Sequence, residues 1–367
     1  MNKYINPEAH VTTIDQHGIK HTYITIHPDK KEPLSSLIDR LNYTLHKQKA
    51  AVVKFDIFGS LKEFDIFMDS LKNIHGQIDW PITWVEGNPC FDSKFSGLQI
   101  YAVSGTPVKS LFVDSKPIAR SFEDNFARYC FLGNILPNIF SVPQEEQAYS
   151  VLENMEKALK QEGIDISNVV RTWFYNNNIL DWYDDFNIAR NRFFKERGIF
   201  DKLLPASTGA GGKNISGSAL IASAIAVKAK KDGIVIQEVP SPQQCPAKEY
   251  GSSFSRAIGI STPGYRTVFI SGTASIEANG KTLYAGNIDK QIEFTMKAID
   301  SILLSRQMSH SDIMRSIAYF KHPKEALAFE KYFKKFDKPA IPALITQSDI
   351  CRNDLLFEIE VDAVSKI

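Results

Sequence analysis

Apolar and polar positions along this chain switch between a period of two and a period near 3.6, which predicts alternating strands and helices. Residues 20–27 (KHTYITIH) alternate and read as a strand, and residues 35–49 read as an amphipathic helix with Pro33, Ser35 and Ser36 at its start. A strand over 51–58 (AVVKFDIF), a helix over 61–74, and strands over 81–85 and 97–103 follow. The middle of the chain is more sharply patterned. It predicts a helix over 144–161, a strand over 169–175 (VVRTWFY), a helix with an aromatic stripe over 178–197, a turn-rich loop over 203–212 (LLPASTGAGG) and a strand over 218–229. The same order returns as a strand over 268–275, a helix over 289–306, a strand over 313–320, a helix over 324–336 and an alternating strand over 355–364 (LLFEIEVDAV).

That return is an internal repeat. Adding 144 to a residue number carries Gln147 to Gln291, Ser167 to Ser311, Arg171 to Arg315 and Tyr175 to Tyr319. PASTG at Pro205 is then matched by PALIT at Pro342. Duplication of one α+β unit is the simplest account. The boundary is expected within residues 230–247, where a charge cluster, Gly233 and the run VPSPQQCP interrupt the pattern.

Composition narrows the function classes. Hydrophobic residues are 43% and charged residues 23%, ordinary globular values that leave ample material for a core. The net charge of +1 gives no basic face for nucleic acid and no attraction to an acidic membrane surface. Cys90, Cys130, Cys245 and Cys351 are scattered, and the eight histidines form no HxH or HExxH pattern. Neither a metal site nor a disulfide framework is expected. His17 and His21 are set aside as a pair because Gly18 marks a turn between them. The first ten residues lack an apolar signal core, and no stretch approaches the ~20 apolar residues of a membrane helix. A soluble cytoplasmic protein is expected.

The C-terminal run PAIPALITQSDICRNDLLFEIEVDAV, preceded by SGTASI and a helix–strand–helix unit, resembles the RidA/YjgF fold family. Leu344 stands where that family has an arginine that grips a substrate carboxylate, which argues against simple imine deamination. A narrower resemblance accounts for the length. RTWFYNNNILDWYDDFNIARNRFF followed by LPASTGAGG, and then EYGSSFSRA, SGTASI and CRNDLLFEIE, are together similar to the chorismatases. The resemblance implies an α+β fold of two fused RidA/YjgF-like (chorismate mutase-like) halves, each a mixed sheet with helices on one face. Residues 1–236 would be a degenerate half and residues 237–367 the half carrying the catalytic acid. It further implies loss of the enolpyruvyl group of chorismate, with no cofactor. Cys351, seven residues before Glu358, is similar to the subtype that releases 3-hydroxybenzoate and pyruvate. A hydrolytic chorismatase, an imine deaminase and a small-acid binding protein are the alternatives.

The chemistry asks for a carboxylic acid that stays protonated near neutral pH, so that it can protonate the terminal methylene of the enol ether. Alternation puts Leu356, Glu358 and Glu360 on one strand face. Spacing alone fits two exposed glutamates. The resemblance assigns Glu358 as the acid and leaves Glu360 on an exposed face. Cys351 lies in a polar segment and would face the ring. Two substrate carboxylates call for arginines and hydroxyls. Tyr183 and Arg190, seven apart on one helix, and Tyr250, Arg256 and Arg352 are the candidates, with Thr208 and Gly209 lining the pocket. Arg171 and Arg315 are expected to be structural. The small molecule is the only partner expected. The fused halves predict a monomer or weak oligomer, with the pocket at their junction.

Overall fold

The computed structural model describes residues 2–6 and 9–367, with side chains from Ala9 onward except that of Tyr250. Three units follow one another. The first holds β1 (Asn2–Asn6), β2 (Ala9–Gln16), β3 (Ile19–Ile26), α1 (Leu34–Gln48), β4 (Ala51–Gly59), α2 (Phe64–His75), β5 (Ile82–Glu86), the short β6 (Asn88–Pro89) and β7 (Phe95–Ser104). The second holds β8 (Lys109–Val113), β9 (Lys116–Glu123), β10 (Ala127–Ile135), α3 (Gln144–Gln161), β11 (Val169–Asn176), α4 (Ile179–Glu196), β12 (Ala206–Gly211) and β13 (Leu220–Ala229). The third holds β14 (Val235–Val239), β15 (Ala257–Thr262), β16 (Tyr265–Ala274), α5 (Ile288–Ser305), β17 (Ile313–Phe320), α6 (Leu327–Lys335), β18 (Ala343–Gln347) and β19 (Phe357–Lys366).

Each unit forms one sheet of the same plan. The orders are β1-β2-β3-β7-β4-β5, β8-β9-β10-β13-β11-β12 and β14-β15-β16-β19-β17-β18, the last extended by β6. Among the described residues the only parallel strand pair in each is the one that a helix crosses over: β4 with β5, β11 with β12, and β17 with β18. The α+β class and the repeated architecture are as expected. The stretch 1–236 holds a further unit besides the one related to the C-terminal half. Its strand sequences had diverged too far to show the repeat.

The three sheets share an irregularity at one position. The register slips between Val52 and Lys54, between Val169 and Arg171, and between Ile313 and Arg315. A bulge of this kind re-aims the next side chain. Lys54, Arg171 and Arg315 therefore occupy one equivalent position, and all three are buried.

Helices cover one face of each sheet. The inward stripe of α5, Ile292, Met296, Ile299, Ile302 and Leu303, is at most 1% exposed. Each such side chain contributes about 1.5–3 kcal/mol on burial. The opposite faces of the three sheets meet one another instead of water. Phe58, Tyr101, Phe131, Trp173, Tyr175, Phe269, Ile317 and Tyr319 belong to one shared core.

This arrangement corrects two expectations. Residues 203–212 are not a loop throughout: β12 runs parallel to β11, its small residues allowing other segments to pack close, as Asp349 does against Gly211. Glu360 is not exposed. It has no solvent exposure, because the face it shares with Glu358 is turned toward the other units. The strands β1, β2, β6, β8–β10, β14, β15 and β18 were not foreseen. Gly18 does make the turn between β2 and β3 (φ +83°), and His21 is buried with its ring nitrogen 2.5 Å from the Tyr101 hydroxyl.

Candidate active site

Strand β19 is central in its sheet, and Glu358 pairs there with Ala274 on one side and Tyr319 on the other. A second bulge, between Ile270 and Thr273 of β16, brings Gly272 against the Glu358 side chain. Any side chain at 272 would collide with Glu358 Oε1 and approach the Thr208 methyl group at 3.3 Å. The carboxyl thus occupies space that only a glycine leaves open.

Glu358 reaches into a cavity of about 810 Å³ between the second and third units. The second unit supplies Tyr183, Asn187 and Arg190 from α4, and Ser207 and Gly209 from β12. The third supplies Phe254, Arg256, Gly272, Cys351, Arg352 and Glu358. Contacts between the two units surround it, among them the Ala206–Ser255 bridge and the Gly211 N–H, which donates to Asp349 O at 2.8 Å.

Helix α4 breaks at Trp182 (φ −147°), whose indole N–H donates to Asn177 O at 2.9 Å. Directly after the break, Tyr183 stacks on Phe186 with ring centroids 6.0 Å apart. A Cβ on Gly209 would stand 3.5 Å from the Tyr183 ring, so the glycine sets how closely strand and ring approach. Arg190 is 2% exposed, donates to Asn187 Oδ1 at 2.6 Å and lies over the Phe186 and Phe254 rings. Arg256 is 3% exposed and donates to Cys245 O at 2.9 Å. Arg352 donates to Gly280 O at 2.6 Å. Three guanidinium groups on one cavity suit a ligand with more than one carboxylate.

Beneath the cavity lies a buried ion network. Glu360 accepts from Arg171 Nη2 (2.8 Å), Arg315 Nη2 (2.7 Å) and the Trp173 indole (2.7 Å). Arg171 also donates to Thr208 Oγ1 at 2.7 Å, and Arg315 to Asp362 at 2.8 Å. Burial acts to raise Glu360, but Arg171, Arg315, Thr208 and Trp173 outweigh it and hold the carboxyl below its ordinary range. Glu360 is therefore a fixed negative charge two residues from Glu358. Burial first, and that charge second, push Glu358 up from 4.5 to about 8, against the opposing pull of Arg171 and Arg256. The neighbours thus settle into opposite states, one ionised and one protonated at neutral pH, the pattern of an assigned acid.

Cys351 sits half-buried in the loop after β18, packed with Ala274, Ile276, Ile350 and Leu355. Burial, and then Glu358, push its thiol up to about 12, so it is a neutral thiol on the cavity wall, not a thiolate nucleophile.

Of the residues singled out from sequence, Glu358, Cys351, Tyr183, Arg190, Arg256, Arg352 and Gly209 line this cavity together. Thr208 does not: its hydroxyl is taken by Arg171 and by the Gly272 N–H at 3.0 Å, so it supports the floor. Tyr250 has its side chain outside the described residues. Leu344 is also elsewhere, packed against Gly97 of the first unit. PASTG contributes Ser207 and Gly209 to the wall. Gly272, Asn187, Phe254 and Glu360 were not identified beforehand. The SGTASI motif held the signal for Gly272, since a glycine inside a strand marks a bulge or a close approach. Among the described residues no group of three or more His, Cys, Asp or Glu is placed to hold a metal.

The three-unit plan is the fold of a solved chorismatase. A crystal structure of chorismatase superposes with a TM-score of 0.64 over 85% of this chain and 93% of its own, at 18% identity. In sequence, the chain is similar to a 3-hydroxybenzoate synthase of Streptomyces hygroscopicus, 26% identical over 221 residues. The match spans 53% of this chain and 63% of that relative. No family model matches the sequence. The resemblance to chorismatases seen in the motifs is thus borne out by fold and by sequence similarity. No helix among the described residues is long and apolar enough to cross a membrane.

Proposed function

We propose that the protein converts chorismate to 3-hydroxybenzoate and pyruvate. One observation carries this reading: a buried carboxyl lifted to about 8 stands in an arginine-lined cavity of about 810 Å³. Protonated Glu358 donates its proton to the terminal methylene carbon of the enol ether, which becomes an oxocarbenium ion. The ring hydroxyl displaces the enolpyruvyl oxygen, giving an epoxide and releasing pyruvate. Opening of the epoxide and loss of a ring proton give the aromatic product. No water is consumed overall. Arg190, Arg256 and Arg352 hold the two carboxylates, and the neutral Cys351 thiol stands where it steers the opening of the ring. The low polarity around Glu358 both keeps the acid protonated and strengthens the arginine contacts.

The test is incubation of the purified protein with chorismate and chromatography of the products. Equal amounts of 3-hydroxybenzoate and pyruvate support the reading. A dihydroxycyclohexadiene carboxylate in place of the aromatic acid would move the protein to the hydrolytic subtype. Chorismate recovered unchanged would refute both. Because one chain supplies both sides of the pocket, we infer that the active form is a monomer, and elution as a stable trimer from a sizing column would overturn that.

A further inference from the structure

The repeated plan gives one junction between each pair of units, and the strand position of Glu358 recurs at all three. Glu358 pairs with Tyr319, Ile221 with Tyr175, and Gly97 with Phe58. The first junction is the pocket described above. At the last, the space is filled: a Cβ on Gly97 would lie 3.1 Å from Leu344 Cγ.

At Ile221 a cavity of about 1320 Å³ remains between the first and second units. Its construction copies the acid pocket. Helix α2 and strand β5 stand where α4 and β12 stand there. The Asn134 N–H donates to Thr83 Oγ1 at 3.0 Å, as the Gly272 N–H donates to Thr208 Oγ1 at 3.0 Å. Asn134 adopts a left-handed backbone (φ +55°) at the β10 bulge equivalent to that of β16.

The chemistry of the walls differs. Isoleucine replaces the acid, so no proton donor stands at that strand position. Trp80 and Trp84 line the cavity, 8% and 1% exposed. Lys72 and Lys116 also line the cavity, and no Asp or Glu does. A ligand that is flat and apolar on one side and anionic on the other meets every one of these features.

We propose that this second cavity is a non-catalytic binding site for a small aromatic monocarboxylate. The tryptophan and isoleucine walls hold the ring, and the two lysines receive the carboxylate. The product proposed above belongs to this class, and that link alone rests on the chorismate reading.

The probe is benzoate, titrated into the full-length protein by calorimetry and followed in parallel by tryptophan fluorescence. Wild type should show a saturable site that binds benzyl alcohol at least about tenfold more weakly. Lys72→Glu with Lys116→Glu, both exposed positions, should weaken that site at least about tenfold and leave chorismate turnover unchanged. Lys72→Arg with Lys116→Arg should retain the wild-type affinity. An unchanged benzoate affinity in the charge-reversed protein would overturn the proposal, as would wild type giving neither heat nor a fluorescence change. The titration requires no turnover, so a protein inert toward chorismate would still give the isotherm.

Discussion

Replacing Glu358 by Gln removes the proton donor while keeping the size and most of the shape of the side chain. Turnover of chorismate should fall to background. The sharper test concerns stability, because the carboxyl is lifted from 4.5 to about 8 by burial and by Glu360. A group whose folded-state value is raised contributes its stability fully below the unfolded value, and that contribution is lost as pH rises through the folded value. Wild type therefore weakens progressively between pH 4.5 and about 8, and the glutamine protein does not. From pH 5.5 to pH 8 the interval is about 2.5 units at 1.36 kcal/mol each, so the variant should gain about 3 kcal/mol on wild type. For a cooperative chain of this length that is roughly 4 °C in Tm. Paired melts at pH 5.5 and pH 9 measure it. A Tm difference between the two proteins that is the same at both pH values would refute the raised carboxyl, whatever the activity. The same shift predicts that wild-type kcat falls about tenfold per pH unit above about 8, as the protonated fraction declines.

The other expectations concern the groups around the acid. Gly272→Ala should leave the protein folded, with kcat reduced at least about tenfold, because the added methyl takes the place of Glu358 Oε1 and shifts the proton donor off its line; steady-state kinetics alongside circular dichroism would show it. Cys351→Ala should preserve chorismate consumption and divert part of the product to the dihydroxycyclohexadiene carboxylate, read by chromatography, since the neutral thiol acts after the proton transfer. Glu360→Gln leaves Arg171 and Arg315 buried without their shared carboxylate and should cost about 3–5 kcal/mol in a denaturant titration. In whatever fraction of that variant stays folded, the alkaline limb of the activity profile should move to lower pH, because a charge that lifts Glu358 is gone and Arg171 is released to act on it.

The elements legible in the sequence were those with a strong period. Helices α3 and α4 and strands β11 and β17 were found nearly to the residue. What escaped depended on neighbours. Strand β12 is made of small residues whose loop-like composition reflects how closely Tyr183 and Asp349 pack on it. Glu360 looked exposed because alternation fixes which residues share a face but not what that face meets. In this chain it meets two other sheets, and an ion network replaces water. The N-terminal unit escaped for a related reason. Its strand β4 carries the same bulge as β11 and β17, but Lys54 stands in place of the arginine and Gly97 in place of the acid. The other two junctions differ from each other: beside Gly97 the space is filled by Leu344, and Ile221 stands at an open cavity. The acid stands where the Glu360 network can reach it through the strand, with Arg171 of the second unit and Arg315 of the third held by one carboxylate. The charge that raises Glu358 therefore also ties together the two units whose junction forms its pocket.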